Sequence, residues 1–89
     1  MYKLVSSKSF EKSIKKFSKK EQRAIYSKLQ ILENNPFYPS LRTKKVLRLK
    51  NIFEDDVFES SVNMDIRIFW RYQDGKIILL VNVSHHDML

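Results

Sequence analysis

Residues 65–83 read DIRIFWRYQDGKIILLVNV, and this stretch gives the strongest indication of the fold of the 89-residue chain. Over residues 65–72, isoleucine and tryptophan alternate with arginine and phenylalanine. That period of two is typical of a β-strand with two different faces. Asp74-Gly75 is a hairpin turn signal, and the apolar run within residues 76–83 suits a central strand buried on both sides. The stretch therefore predicts two antiparallel neighbours in the middle of a sheet.

Two amphipathic helices precede this sheet. Apolar residues from Phe10 to Phe17 follow the i, i+4, i+7 spacing of one helix face. Ser18-Lys19-Lys20-Glu21 has the form of a capping box. A second helix is therefore expected over residues 19–33, and Asn35-Pro36 ends it because the residue before proline avoids the helical conformation.

The remaining elements complete one domain over residues 1–89. Residues 2–5 and 57–62 are β-compatible, and the basic segment 41–50 is expected to be a loop that feeds an edge strand. A two-helix hairpin must bury its apolar stripes against a sheet. The sequence therefore predicts an α+β fold with an N-terminal strand, a two-helix hairpin and then a three- to four-stranded, mainly antiparallel sheet.

The positive charge of the chain is concentrated in its first part. Residues 1–50 carry 14 Lys and Arg against three Glu, a net +11, whereas residues 51–89 carry three basic against seven acidic residues. A field of this sign attracts polyanions, so a nucleic acid or a ribosome is the first candidate partner. A solvated basic surface and an acidic protein partner are also compatible with this distribution.

Composition excludes several classes of protein. The chain has no cysteine, which excludes disulfides, thiolate metal sites and a cysteine nucleophile. The longest wholly apolar stretch, residues 77–81, is far shorter than the roughly 20 residues that span a bilayer. We therefore expect a cytoplasmic protein with no membrane partner.

Two adjacent histidines, His85 and His86, follow the last predicted strand. Imidazole transfers protons in both directions near neutrality, because the ordinary pKa of histidine is about 6.5. Adjacent residues at a strand end point to opposite sides, so at least one imidazole is expected to face solvent as a general acid or base. A surface pair without a task is the alternative, and a metal site is weaker because no third ligand of suitable spacing is visible.

Arg67 lies in the middle of an otherwise apolar strand. A guanidinium group there either pairs with a carboxylate, such as Glu59 or Asp65, or binds a phosphate. Arg67 and Arg71 are expected on the sheet face that the helices leave free, which predicts a basic cleft shared with the two histidines. Further candidates for phosphate binding lie in the basic segment: Arg42, Lys44, Lys45 and Arg48.

Several motifs follow one another along the chain. The helix hairpin ends in Asn34-Asn35-Pro36, and LRTKKV (41–46), DIRIFW (65–70), the Asp-Gly turn and VSHHD (83–87) come after it. In order and spacing this series resembles the RelE/ParE superfamily of toxins from bacterial type II toxin–antitoxin systems. The resemblance covers nearly the whole chain, although each motif alone is degenerate.

The resemblance implies a microbial-ribonuclease-like fold. In the RelE branch it also implies cleavage of mRNA on the ribosome by attack of the 2′-hydroxyl on the adjacent phosphate, without a metal or other cofactor. Arg67 would contact the scissile phosphate, His85 would be the general acid or base of YafQ-type toxins, and His86 would assist or replace a cation. Lys44 and Lys45 would bind phosphate or ribosomal RNA.

The same resemblance implies a set of partners, namely a cognate antitoxin, mRNA and the ribosome. The free chain is expected to be a monomer or a weak homodimer. One departure is visible, since Asp65-Ile66 replaces the Asp-Trp pair of the YafQ type.

Two other functions stay open at this point. ParE-type members share the fold and inhibit DNA gyrase by binding, but they lack an imidazole at the position of His85. A basic module that binds nucleic acid without catalysis would also suit the charge pattern. The presence of His85 together with Arg67 favours the ribonuclease.

Overall fold

The computed structural model describes residues 1–46 and 56–85. Its elements are β1 (Lys3–Ser6), α1 (Lys8–Ile14), α2 (Lys19–Asn34), a 3-10 turn (Pro39–Leu41), β2 (Lys44–Lys45), β3 (Phe58–Ser61), β4 (Ile66–Asp74) and β5 (Ile77–His85). The five strands form one sheet in the order β1-β5-β4-β3-β2. β1 pairs with β5 in parallel, and the other neighbours are antiparallel. The predicted α+β fold is confirmed, with four strands after the helix hairpin and the N-terminal strand added to the same sheet.

Local sequence sets the helix boundaries. The capping box at the start of α2 is formed, with Glu21 N donating to Ser18 Oγ at 3.1 Å and Ser18 N donating to Glu21 Oε1 at 2.9 Å. α1 ends at Ile14, earlier than the apolar spacing suggested, and Phe17 reaches the core from the connection between the helices. Among the described residues, neither helix is long and apolar enough to cross a membrane.

Both helices pack on one face of the sheet. The core residues there include Phe10, Ile14, Ile25, Leu29 and Leu32 from the helices and Ile66, Ile68, Trp70, Ile78, Leu80 and Val83 from β4 and β5. Trp70 is completely buried. It stacks on Phe58 with 4.7 Å between ring centroids and meets Tyr72 edge-on at 5.2 Å. The alternation predicted for β4 is therefore correct on the face that the helices cover.

The opposite face carries a small apolar cluster of its own. Phe69 is only 3% exposed and packs with Val46, Val57 and the half-buried Val81. The expectation that this face is free is therefore wrong around Phe69. The expectation that β5 is buried on both sides is also wrong, because its residues on this second face, such as Leu79, are only half-buried.

A chain of buried and partly buried hydrogen bonds links the sheet to the loop after α2. Trp70 Nε1 donates to Ser60 Oγ at 2.9 Å, the hydroxyls of Ser60 and Thr43 are 2.6 Å apart, and Thr43 Oγ1 donates to the carbonyl of Pro36 at 2.6 Å. Because the Thr43 proton is used on Pro36, Ser60 is the donor to Thr43. Each hydroxyl then donates once and accepts once, which satisfies the fully buried Ser60.

We expect Ser60→Ala to lower the free energy of unfolding by about 1–3 kcal/mol, because the Trp70 N–H would stay buried without an acceptor. Urea denaturation measures this change. The matched control is Ser61→Ala on the same strand, where the side chain is half-buried and the expected change is within about 0.5 kcal/mol. Equal effects of the two substitutions would contradict a structural role for the network.

Stability at alkaline pH is expected to depend on Tyr72. Burial raises the pKa of the Tyr72 phenol above its ordinary value, and the charge of Tyr2 and a hydrogen bond with it raise that pKa further. A phenol with a raised folded-state pKa ionises first in the unfolded chain. Its contribution to stability is therefore complete below about pH 10 and is lost as the pH rises through the folded-state pKa.

Tyr72→Phe should therefore reduce the loss of unfolding free energy above about pH 10. Denaturation curves at several alkaline pH values measure the slope. The control is Tyr26→Phe, since the Tyr26 side chain is 53% exposed, and an identical slope in wild type and both variants would contradict the assignment.

Candidate active site

His85 is the last residue of β5 and lies beside the turn between β3 and β4. Its Nδ1 is 2.7 Å from Oδ2 of Asp65, and its ring lies against Phe17 with 4.9 Å between centroids. The turn holds Asp65 in place, because Asn63 Oδ1 accepts hydrogen bonds from the backbone amides of Asp65 and Ile66. With Nδ1 engaged by a carboxylate, Nε2 is the nitrogen left for proton exchange with a ligand.

An open cavity of about 250 Å³ adjoins this imidazole. Its lining consists of Ser13, Lys16, Phe17, Asn82, Val83, Ser84 and His85. Lys16 contributes an ammonium group, and the hydroxyl of Ser13 donates to Asn82 Oδ1 at 2.5 Å. The volume lies just below the roughly 300 Å³ at which small-molecule pockets begin. The cavity therefore suits one anionic group of a larger ligand, with a proton carrier and a cation beside it.

A β-bulge decides which face of the sheet His85 occupies. The pairing of β4 with β5 shifts between Leu80 and Asn82, which leaves Val81 as the extra residue. Even-numbered core residues of β5 face the helices before the bulge, and odd-numbered residues do so after it. Uninterrupted alternation would have directed His85 to the face of Arg67.

Arg67 lies on the opposite face from His85. It pairs with Ser84 in the sheet register, one position away from the histidine, and side chains of successive strand residues point to opposite faces. It lines a second cavity, of about 360 Å³, together with Arg42. The predicted cleft that combines Arg67 with His85 is therefore not formed, and the physical reason is the bulge.

The carboxylates proposed as partners of Arg67 have other partners. Arg67 Nη1 donates to the backbone carbonyl of Asn63 at 2.6 Å. Glu59 Oε1 lies 3.4 Å from Nζ of Lys44, and the Asp65 carboxylate faces the imidazole. Within the described residues, the guanidinium of Arg67 is thus held by backbone oxygens rather than by a salt bridge.

The lysines of β2 lie at the edge of the sheet. Lys44 pairs with Glu59, and Lys45 Nζ lies 3.2 Å from Asp56. Their side chains are still 70% and 56% exposed, and exposed pairs of this kind contribute at most about 1 kcal/mol. Both lysines therefore stay accessible to a polyanion.

The remaining candidates are placed less centrally. Arg71 is half-buried on β4 and shares the face of Arg67 by strand alternation. Arg48 and His86 lie outside the described residues, so their proposed roles stay predictions.

Two residues of this site were not predicted as site residues from the sequence, namely Asp65, which contacts His85, and Lys16, which lines the cavity. Counting paired residues outward from the Asp74-Gly75 turn brings residue 65 close to residue 85, so the hairpin register contained a signal for this contact.

No protein-family model matches the sequence, and no curated protein matches it. Solved structures do resemble it over nearly its full length. A chain of the archaeal RelE–RelB complex from Pyrococcus horikoshii superposes with a TM-score of 0.76 at 17% identity, covering 99% of this chain and 98% of that one. A metal-bound toxin from Helicobacter pylori gives 0.74 at 19% identity, with 100% and 99% covered.

YafQ from E. coli gives a TM-score of 0.72 at 13% identity, covering 97% of this chain and 94% of that one. A chain of the E. coli DinJ–YafQ complex gives 0.67 at 13% identity, covering 100% of this chain and 98% of that one. These likenesses define the class of fold, a small α+β toxin fold. More particularly, it is the RelE/ParE-type fold, and the resemblance drawn from the sequence is confirmed at the level of the fold.

The contact between Asp65 and His85 predicts the tautomer of the imidazole. A carboxylate at Nδ1 favours the neutral form with the proton on Nδ1. We expect Asp65→Asn to shift the neutral ring toward the Nε2–H form, which ¹⁵N chemical shifts of labelled histidine report. Asp74→Asn is the charge-matched control, because Asp74 only accepts backbone hydrogen bonds at the opposite hairpin turn. An unchanged tautomer in Asp65→Asn would contradict the contact.

Proposed function

We propose that this chain is the toxin of a type II toxin–antitoxin system and that it acts as a ribosome-dependent endoribonuclease on mRNA. The observation that carries the proposal is the His85–Asp65 pair, which adjoins Lys16 in an open cavity. The RelE/ParE-type fold also supports the proposal. The residues of the site carry it, because a fold does not by itself determine activity.

The groups in the cavity suit transesterification of RNA. Nε2 of His85 would take the proton of a ribose 2′-hydroxyl, whose oxygen then attacks the adjacent phosphorus. The bond from phosphorus to the 5′-oxygen breaks, and that oxygen takes a proton from a water molecule, which leaves a 2′,3′-cyclic phosphate and a 5′-hydroxyl. The imidazolium then gives its proton to the hydroxide that remains. Asp65 would stabilise the imidazolium formed in between, and the ammonium of Lys16 would stabilise the charge that develops on the phosphate.

The charge distribution supports a polyanionic substrate. The net charge of +7 attracts mRNA and ribosomal RNA at long range, and the exposed lysines of β2 offer contacts to phosphates. Two of the similar structures are complexes named for RelE with RelB and for DinJ with YafQ. By analogy we propose that a cognate antitoxin binds this chain and blocks its activity.

The proposal predicts that His85→Ala lowers the cleavage rate by about 10²- to 10⁴-fold, the usual contribution of a general acid or base. The measurement is primer extension on a translated message after brief induction of the chain without a partner. Gln30→Ala on the exposed face of α2 is the control, and circular dichroism checks that each variant folds.

Cuts at codon-defined positions that persist in folded His85→Ala would contradict the catalytic assignment. Growth arrest with intact message would instead indicate inhibition by binding, as in a ParE-like gyrase inhibitor. Binding of RNA without cleavage on translating ribosomes would indicate a non-catalytic module.

A further inference from the structure

The cavity on the second face of the sheet is lined by two arginines. Among the described residues, Arg42 and Arg67 share it with uncharged neighbours, namely Ser40, Ser61, Val62, Asn63 and Met64. Arg67 uses Nη1 on backbone carbonyls, but a guanidinium has five N–H donors in a planar fork. The part of the lining that the structure describes therefore concentrates positive charge and holds no carboxylate, and this combination suits an oxyanion such as a phosphate.

The position of Arg42 is fixed by its surroundings. Its backbone is left-handed, with φ of 48°, a conformation that costs a non-glycine residue about 1–2 kcal/mol. The next residue, Thr43, is held by its hydrogen bonds to Pro36 and Ser60. These hydrogen bonds hold the backbone next to Arg42, whose exposed side chain lines the cavity.

The turn between β3 and β4 connects this cavity to the His85 site. Asn63 lines the arginine cavity, and its backbone carbonyl accepts a hydrogen bond from the Arg67 guanidinium. Asp65, in the same turn, contacts His85. Met64 lies between them in sequence and is 91% exposed. A ligand that crosses this turn would meet both cavities and the Met64 side chain.

We propose that one single-stranded RNA crosses the turn, with its reacting phosphate at His85 and a flanking phosphate in the cavity of Arg42 and Arg67. Met64 then contacts a base between the two phosphates. The inference rests on the proposed function for the identity of the ligand. It gives Arg67 a different task from the one that the family resemblance implied, because the sheet separates its guanidinium from the imidazole.

The test uses the full chain and a short 2′-O-methyl oligoribonucleotide, which lacks the attacking hydroxyl and cannot be cut. Fluorescence anisotropy at several salt concentrations gives the dissociation constant and its salt dependence. Arg42→Gln should weaken binding about tenfold, the loss of one charge-assisted contact. It should also reduce the slope of log K against log salt by about 0.7, the value of one single-strand phosphate.

Two further variants sharpen this test. Arg23→Gln removes an equal charge from the exposed surface of α2 and should change binding less than twofold. Arg42→Lys keeps the charge and should retain the salt slope. In NMR titrations, the methyl signal of Met64 and the ring signals of His85 should shift with the same midpoint, as expected for one strand that contacts both sites.

Equal effects of Arg42→Gln and Arg23→Gln would overturn the inference, and so would different midpoints for Met64 and His85. If Arg42→Gln weakens the binding of a poly-glutamate peptide and leaves the binding of RNA unchanged, the cavity would be assigned to an acidic protein segment instead. The binding assay requires no cleavage. Failure of the ribonuclease proposal, seen as intact message in cells, is therefore distinguishable from failure of this one.

Discussion

The indole of Trp70 is the point on which the packing of this domain depends. Its ring fills the centre of the helix-covered face and touches Phe58 and Tyr72, while its N–H requires one buried acceptor. Ser60 supplies that acceptor and passes the hydrogen bond on to Thr43. A single buried polar group thereby ties two strands of the sheet to the loop after α2. Because an unmade bond would cost more than a made one gains, the network specifies how that loop sits rather than adding much stability.

Most of the architecture could be predicted from local signals in the sequence. Ser18 and Glu21 predicted the start of α2, Asp74-Gly75 predicted the central hairpin, and the alternation around Trp70 predicted the face under the helices. The bulge at Val81 could not be predicted in this way, because that run contains neither glycine nor proline. Val81, the extra residue, packs against the cluster of Phe69 on the second face. The alternation of apolar residues alone therefore could not predict that Arg67 and His85 lie on opposite faces of the sheet.

The sheet separates two kinds of chemistry. On the helix side, His85 and Asp65 form a pair suited to proton transfer, and Lys16 is the nearby cation. On the other side, Arg42 and Arg67 form a site suited to holding an anion without moving a proton. Few side chains define each site, whereas the fold depends on an apolar pattern that many sequences satisfy. This difference explains how structures with 13–19% identity share the whole architecture, and why each site has to be argued from its own residues.

The bulge in β5 also has a consequence for how such a chain can change over time. The last side chain of a strand lies on one face of the sheet or on the other, and one inserted residue moves it from one face to the other. A deletion at Val81 would leave the sheet order unaltered. It would nevertheless move the imidazole of His85 from the sheet face next to α1 to the face that carries Arg67. Loss or gain of a single codon in this strand is therefore a short route by which a domain of this shape can relocate its proton-carrying group without redesigning its core.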